Sequence, residues 1–251
     1  MRRAKLKKKL ISIIQFLLVI IIAWSGYKIY NYQMDNQSYN KLKVDYSSRL
    51  EEITNSISEN SDDALDKETK AGREFVESLH KSYPDVIGRI CIENLDLDFP
   101  IVKGNDNSFY LDHDYTGAYH PFGAVFMDAR NSNDFSDQNT ILYGHNVRSG
   151  HVFNSLNKYR DPSYLEDNPY IIVDTLNGRF IYKIFAVYDA DAYENYRSPS
   201  YDENEWKELL SRIEKKNIIN SDLPKFGEKL LTLSTCSDID DRMAVQAVLQ
   251  K

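Results

Sequence analysis

Cysteine is scarce in this chain, with two residues in 251, Cys91 and Cys236. That argues against a disulfide-stapled scaffold and leaves at most one bridge, Cys91–Cys236. Histidine is nearly as scarce, at five. No two histidines stand at the i, i+4 spacing of a helical metal site or the i, i+2 spacing of a strand, so nothing calls for a metal. Net positive charge is confined to one end. Residues 1–9 (MRRAKLKKK) hold six basic side chains and no acid, while the whole chain carries −7, so the remainder is near −13. An acidic body lacks the positive footprint that phosphate binding needs, which argues against nucleic acid as a partner. Internal repeats and low-complexity tracts are absent as well. Glycine is modest at 10, whereas tyrosine (18) and phenylalanine (11) are plentiful, a balance that favours β-structure.

One long apolar run is present. Residues 10–24 read LISIIQFLLVIIIAW, with Gln15 the sole strongly polar member. With Ser25, Gly26 and Tyr27 the run reaches the short end of what spans a bilayer. Trp24, Tyr27 and Tyr30 are placed as an interfacial aromatic belt, and the basic residues before the span put the N-terminus in the cytoplasm. Ala23-Trp24-Ser25 makes a poor signal-peptidase site, so the run reads as an uncleaved anchor. The expected organisation is a basic cytoplasmic tail (1–9), a membrane anchor (10–27), an extracytoplasmic stalk (28–69) and one folded domain outside the cell (70–251).

Beyond the anchor, Tyr46, Leu50, Ile53 and Ile57 follow helical spacing, and a polar break covers 59–66. Phe75, Val76, Leu79 and Tyr83 make a second helical stripe that Pro84 stops. From Asp85 the period changes. Segments 87–92, 99–102, 124–127, 140–145, 170–175, 180–188, 229–236 and 242–249 read as strands, and Asn177-Gly178 marks a hairpin. Eight short strands predict a mainly β barrel. An insertion between the sixth and seventh strands carries one helix, 203–216, opened by an Asp202–Glu205 capping box.

Three strand ends carry chemistry. Leu231-Thr232-Leu233-Ser234-Thr235-Cys236 is an apolar strand that delivers a cysteine at its end. An acidic loop (SDIDD) follows, and Arg242 opens the next strand. A guanidinium beside a thiol biases it toward thiolate and can meet charge developing on a carbonyl oxygen. Ile141-Leu142-Tyr143-Gly144-His145-Asn146 ends another strand in Gly-His. At a shared rim, His145 can donate a proton to a leaving amine. Taken singly, each has an ordinary reading: a structural cysteine, a turn, a surface charge. Cys91, within an apolar strand, reads as a small buried hydrophobe. His151 is the spare histidine. Asp238, Asp240 and Asp241 lack the glycine and terminal glutamate of a calcium loop and read as a solvated turn.

Thr232-Leu233-Ser234-Thr235-Cys236 resembles the Thr-Leu-x-Thr-Cys signature of sortases. Tyr143-Gly144-His145-Asn146 resembles their histidine motif, and Arg242 falls where the family's arginine opens the last strand. The resemblance covers about residues 85–250. The helical insertion, the N-terminal helices and Phe153-Asn154-Ser155-Leu156-Asn157-Lys158 are most similar to class B members, although the six-residue step from Cys236 to Arg242 is shorter than that class leads one to expect. The resemblance implies a cysteine transpeptidase without metal or organic cofactor. Cys236 would attack the carbonyl after a threonine in a C-terminal sorting signal of a surface protein, and His145 would protonate the departing amine. Arg242 would stabilise the oxyanion, with Tyr143, Ser234 and Thr235 lining the substrate groove. An amine of peptidoglycan or its lipid-linked precursor would resolve the thioester. A pilin-polymerising sortase, a hydrolytic cysteine peptidase and a non-enzymatic disulfide-bonded wall-binding module are the rival readings.

Overall fold

The computed structural model describes residues 2–57, 64–147, 150–191, 194–236 and 241–250. The chain divides into two compact units, Met1–Ser47 and Ser48–Lys251. The first is built from helix α1 (Arg2–Ser56), whose last turns belong to the second. Its apolar run exposes Leu10, Ile14, Leu17, Ile21 and Trp24, and the helix is long and apolar enough to cross a membrane. No proline interrupts the chain before Pro84, and α1 runs unbroken to Ser56 through the larger part of the segment expected as a stalk.

In the second unit, helix α2 (Ala64–Ser82) buries Phe75, Val76 and Leu79, and it stops just ahead of Pro84, as a residue before proline disfavours the helical region. Most of the expected polar break at 59–66 lies outside the described residues. Eight strands follow: β1 (Val86–Ile92), β2 (Leu97–Val102), β3 (Val125–Met127), β4 (Asn139–His145), β5 (Tyr170–Thr175), β6 (Gly178–Asp191), β7 (Leu230–Cys236) and β8 (Asp241–Leu249). They close into a barrel in the order β1-β2-β3-β4-β7-β8-β6-β5. Helix α3 (Pro162–Asp167) lies between β4 and β5, and α4 (Glu203–Lys216) lies in the insertion between β6 and β7. The eight-stranded barrel with N-terminal helices and a helical insertion is the fold expected from the sequence. The β5–β6 hairpin differs by one residue: Thr175 pairs with Gly178, so Leu176-Asn177 is the loop and Gly178 (φ +134°) opens the strand.

The Asp202–Glu205 capping box forms, with Asp202 accepting from the Asn204 and Glu205 amides. Helix α4 packs Trp206, Leu209 and Ile213 onto Phe185, Tyr188 and Tyr196, outside β6. The insertion therefore covers the barrel wall from without, which explains why β6 is apolar on both of its alternating faces.

Beneath the insertion a polar seam crosses four strands. Asn139 Nδ2 donates to the Ser198 carbonyl (2.9 Å) and Asn139 Oδ1 accepts from Thr232 Oγ1 (2.8 Å). Thr232 Oγ1 in turn accepts from Gln246 Nε2 (3.0 Å), and Gln246 Oε1 accepts from Tyr188 (3.0 Å). Asn139, Thr232 and Gln246 are fully buried, so a slip of one residue would strand their polar atoms away from water. The seam thus ties β4, β7, β8 and β6 in one register. Thr232→Val keeps the shape but leaves Asn139 and Gln246 each short of a partner. It should lower unfolding free energy by about 1–3 kcal/mol, read by urea denaturation. A loss under about 0.5 kcal/mol, typical of a neutral surface change, would show that the seam does not hold the register.

Candidate active site

Strands β4 and β7 are parallel neighbours, paired from Asn139↔Leu230 through to His145↔Cys236. Because they run the same way, their C-terminal ends reach one rim together. Adjacent strands lie about 4.8 Å apart. The histidine and cysteine motifs are 91 positions apart in sequence yet occupy one rung of the ladder. Strand β8 runs antiparallel to β7 with Ser234↔Ala244 as its terminal rung, and the same register extended by two residues sets Arg242 opposite Cys236. On its other edge Arg242 pairs with Ala190 of β6. The topology therefore brings the three expected catalytic positions to neighbouring strand ends. Asp238 and Asp240 of the acidic loop lie outside the described residues.

His145 is half-buried, and its Nε2 donates to the carbonyl of Leu111 at 2.7 Å. A carbonyl can only accept, so Nε2 carries the hydrogen and Nδ1 is left free among the described residues. Leu111 ends a 3₁₀ turn, Phe109–Leu111, in the β2–β3 connection. Gly144 is needed for contact: a Cβ there would lie 2.7 Å from two atoms of the Phe153 ring and 2.9 Å from Val152 Cγ1. Phe153 opens a 3₁₀ helix, Phe153–Arg160, that folds back against β4 beside the histidine. Asn146 fastens it by accepting from Asn154 (2.6 Å) and Asn157 (3.0 Å).

Arg242 is half-buried, and its Nε is buried with no hydrogen-bond partner among the described residues. Such a donor costs about 1–3 kcal/mol when left unpaired, which suits a group that awaits an acceptor. The three residues expected to line the groove are buried, with their hydroxyls engaged inside the protein. Ser234 bonds the Tyr196 hydroxyl (2.9 Å), Thr235 accepts from the Met243 amide (2.9 Å), and Tyr143 donates to Asp128 (2.7 Å).

Asp128 was not singled out from the sequence. Its fully buried carboxylate takes both a bidentate bond from Arg130 and the Tyr143 hydroxyl. Burial alone would raise this carboxyl, but the bonds from Arg130 and Tyr143 outweigh it and hold the pKa at about 2. Arg130 also donates to the Arg197 carbonyl (2.6 Å), which ties the insertion to the cluster under β4.

Cys91 is a free thiol, which removes the disulfide reading. It is half-buried rather than a core residue, and it faces a cavity of 170 Å³ shared with Gly72 of α2 and Arg89. Burial, reinforced by Asp98, pushes its pKa up to about 12, so it is a poor nucleophile at neutral pH. His151, the spare histidine, stacks on Phe122 with 5.5 Å between ring centroids.

Asp128 sets a pH dependence. Its folded value lies below the usual carboxylate value near 3.8, so its stabilisation is present above about pH 4 and is lost as pH falls through about 2. The stability gap between the wild type and Asp128→Asn should therefore narrow over that window in chemical denaturation. A constant gap would contradict the assignment.

Comparison with known proteins points one way. Residues 90–250 match the family profile described as the Sortase domain. Sortase B of Staphylococcus aureus (strain NCTC 8325 / PS 47) is 31% identical over 237 residues, covering 92% of this chain and 91% of the relative. A solved Staphylococcus aureus sortase B–substrate complex superposes with a TM-score of 0.73 at 27% identity, covering 84% of this chain and 97% of that one. A crystal structure of sortase B complexed with triglycine gives 0.72 at 27% identity, covering 84% and 98%.

Proposed function

The chain belongs to the sortase family and is a transpeptidase similar to sortase B, and we propose that it acts from a membrane anchor, joining a surface protein to an amine of the cell wall. The observation that carries this reading is the rung that pairs His145 with Cys236 at the rim of the barrel. Cys236, as thiolate, attacks the carbonyl carbon after a threonine of the sorting signal. The Arg242 guanidinium supplies a hydrogen bond to the oxygen as it gains charge, where a preorganised donor counts most. The C–N bond then breaks, its nitrogen takes a proton from His145, and a thioester remains on Cys236. An amine of peptidoglycan or its lipid-linked precursor attacks the thioester, gives its proton back to His145, and releases the thiolate. Tyr143, Ser234 and Thr235 act from beneath the groove in this account, with Tyr196 of the insertion held to the cysteine strand through Ser234. The relatives solved with a substrate and with triglycine support a peptide donor and an amine acceptor.

The test is mass spectrometry of the soluble domain with LPxTG-like and NPxTx-like peptides, with and without an amine acceptor. Cys236→Ala should form no acyl-enzyme, whereas Cys91→Ala should still form it. His145→Ala should slow single-turnover acylation by about 10²-fold or more, the usual worth of a general acid. Arg242→Lys keeps the charge but loses the planar fork, and should fall well short of wild type. Near-normal acylation in His145→Ala or Arg242→Ala would overturn these roles.

The anchor has its own test. The basic tail, the exposed apolar helix and its aromatic flank support a cytoplasmic N-terminus with the barrel outside the cell. Protease added to intact cells stripped of wall should digest the barrel domain. Full protection would contradict this topology.

A further inference from the structure

We propose that Gly123 is a positioning residue for the proton-transfer step: it leaves room for the Leu111 carbonyl, which holds His145 as the Nε2–H tautomer and makes Nδ1 the nitrogen that exchanges protons. The inference rests on the proposed acid–base role of His145.

Gly123 has φ +61°, and a Cβ at that position would lie 2.6 Å from the Leu111 oxygen, 2.9 Å from its carbon and 2.5 Å from the Tyr110 oxygen. These are backbone atoms, with no flexible side chain to give way. The neighbouring strand start is fixed too, since Ala124 N donates to the Tyr110 carbonyl (3.1 Å) and Gly123 N to that of His120 (2.9 Å). The 3₁₀ turn is held by Leu111 N on the Ser108 carbonyl (3.1 Å) and by Tyr110 Oη on Asp85 (2.7 Å). Any side chain at 123 must therefore push on the oxygen that accepts the His145 Nε2–H hydrogen bond. With Nε2–H committed to that oxygen, the second proton of the imidazolium sits on Nδ1. As the scissile C–N bond breaks, this proton passes to the leaving nitrogen, and neutral imidazole keeps Nε2–H. When the acceptor amine attacks the thioester, its proton returns to the Nδ1 lone pair and the thiolate departs.

The glycine pattern supplies a control. Gly117, in the same connection, is also left-handed (φ +82°), but a Cβ there meets nothing within 4 Å. Gly117→Ala therefore carries the backbone strain without the collision.

The experiment combines ¹⁵N NMR of the His145 ring, assigned with His145→Gln, and single-turnover acylation against pH for wild type, Gly123→Ala and Gly117→Ala. The wild-type neutral ring should be Nε2–H. Gly123→Ala should show a mixed or reversed tautomer, a displaced pH profile and acylation slower by about 10-fold or more, as expected for a misplaced reacting group. Gly117→Ala should match wild type in tautomer and profile. A wild-type ring protonated on Nδ1 would overturn the proposal, and it decides the question alone should Gly123→Ala fail to fold. So would a Gly123→Ala protein that keeps both the Nε2–H ring and the acylation rate of Gly117→Ala. Wild-type acylation in His145→Ala would instead sink the catalytic reading of His145, which separates the two failures.

Discussion

The parallel pairing of β4 with β7 is the constraint on which the site depends. Antiparallel strands with short turns would send the two motif strands to opposite rims. Parallel neighbours need a long crossover, and here β5, β6 and the α4 insertion supply it. One ladder then delivers His145 and Cys236 to a single rung. Its register is held at the far end by Asn139, which joins Thr232 of the cysteine strand to the Ser198 carbonyl of the insertion. The threonine of the cysteine motif is thus explained by packing as much as by chemistry, because its hydroxyl sits between two buried amides.

Around that ladder the protein adds contacts that fix direction. The histidine ring is held from one side by a backbone carbonyl, and the strand beneath it is pressed by Phe153 where only glycine fits. The arginine, second residue of β8, has a donor still unpaired among the described residues. Far from the rim, a buried ion cluster fastens α2 to the barrel: Asp174 accepts from Arg89 and Arg179, and Arg179 also reaches Glu68 of the helix. Gly72 lets the helix approach so closely that a Cβ would meet the Asp174 carboxyl at 2.3 Å. Rigid support under a site keeps its reacting groups in reach of one another.

Much of this was legible in the sequence because the signals were local. Alternation marked the strands, Pro84 marked the end of α2, and Asp202 with Glu205 marked the start of α4. The cysteine and histidine motifs were readable because each closes an apolar strand. The strand order was not readable from spacing, since the pairing of β4 with β7 spans the crossover between them. Asp128 escaped notice because its significance comes from Tyr143 of β4, and from the Arg197 carbonyl on its neighbour Arg130, arriving in space. The role of Leu111 left no trace at all, as a backbone carbonyl has no residue type to betray it. Cys91 was read as a core hydrophobe from its apolar neighbours, but on β1 its side faces outward toward Arg89 and α2.

If one rung holds both groups, the imidazole is near enough to exchange a proton with the thiol and so to govern its reactivity. The most direct test is the pH profile of Cys236 alkylation in a Cys91→Ala background, with His145 present and with His145→Ala. The account predicts that removing the imidazole changes the rate of alkylation and the shape of its dependence on pH. Superimposable profiles from the two proteins would contradict it, because they would show that the imidazole does not act on the thiol.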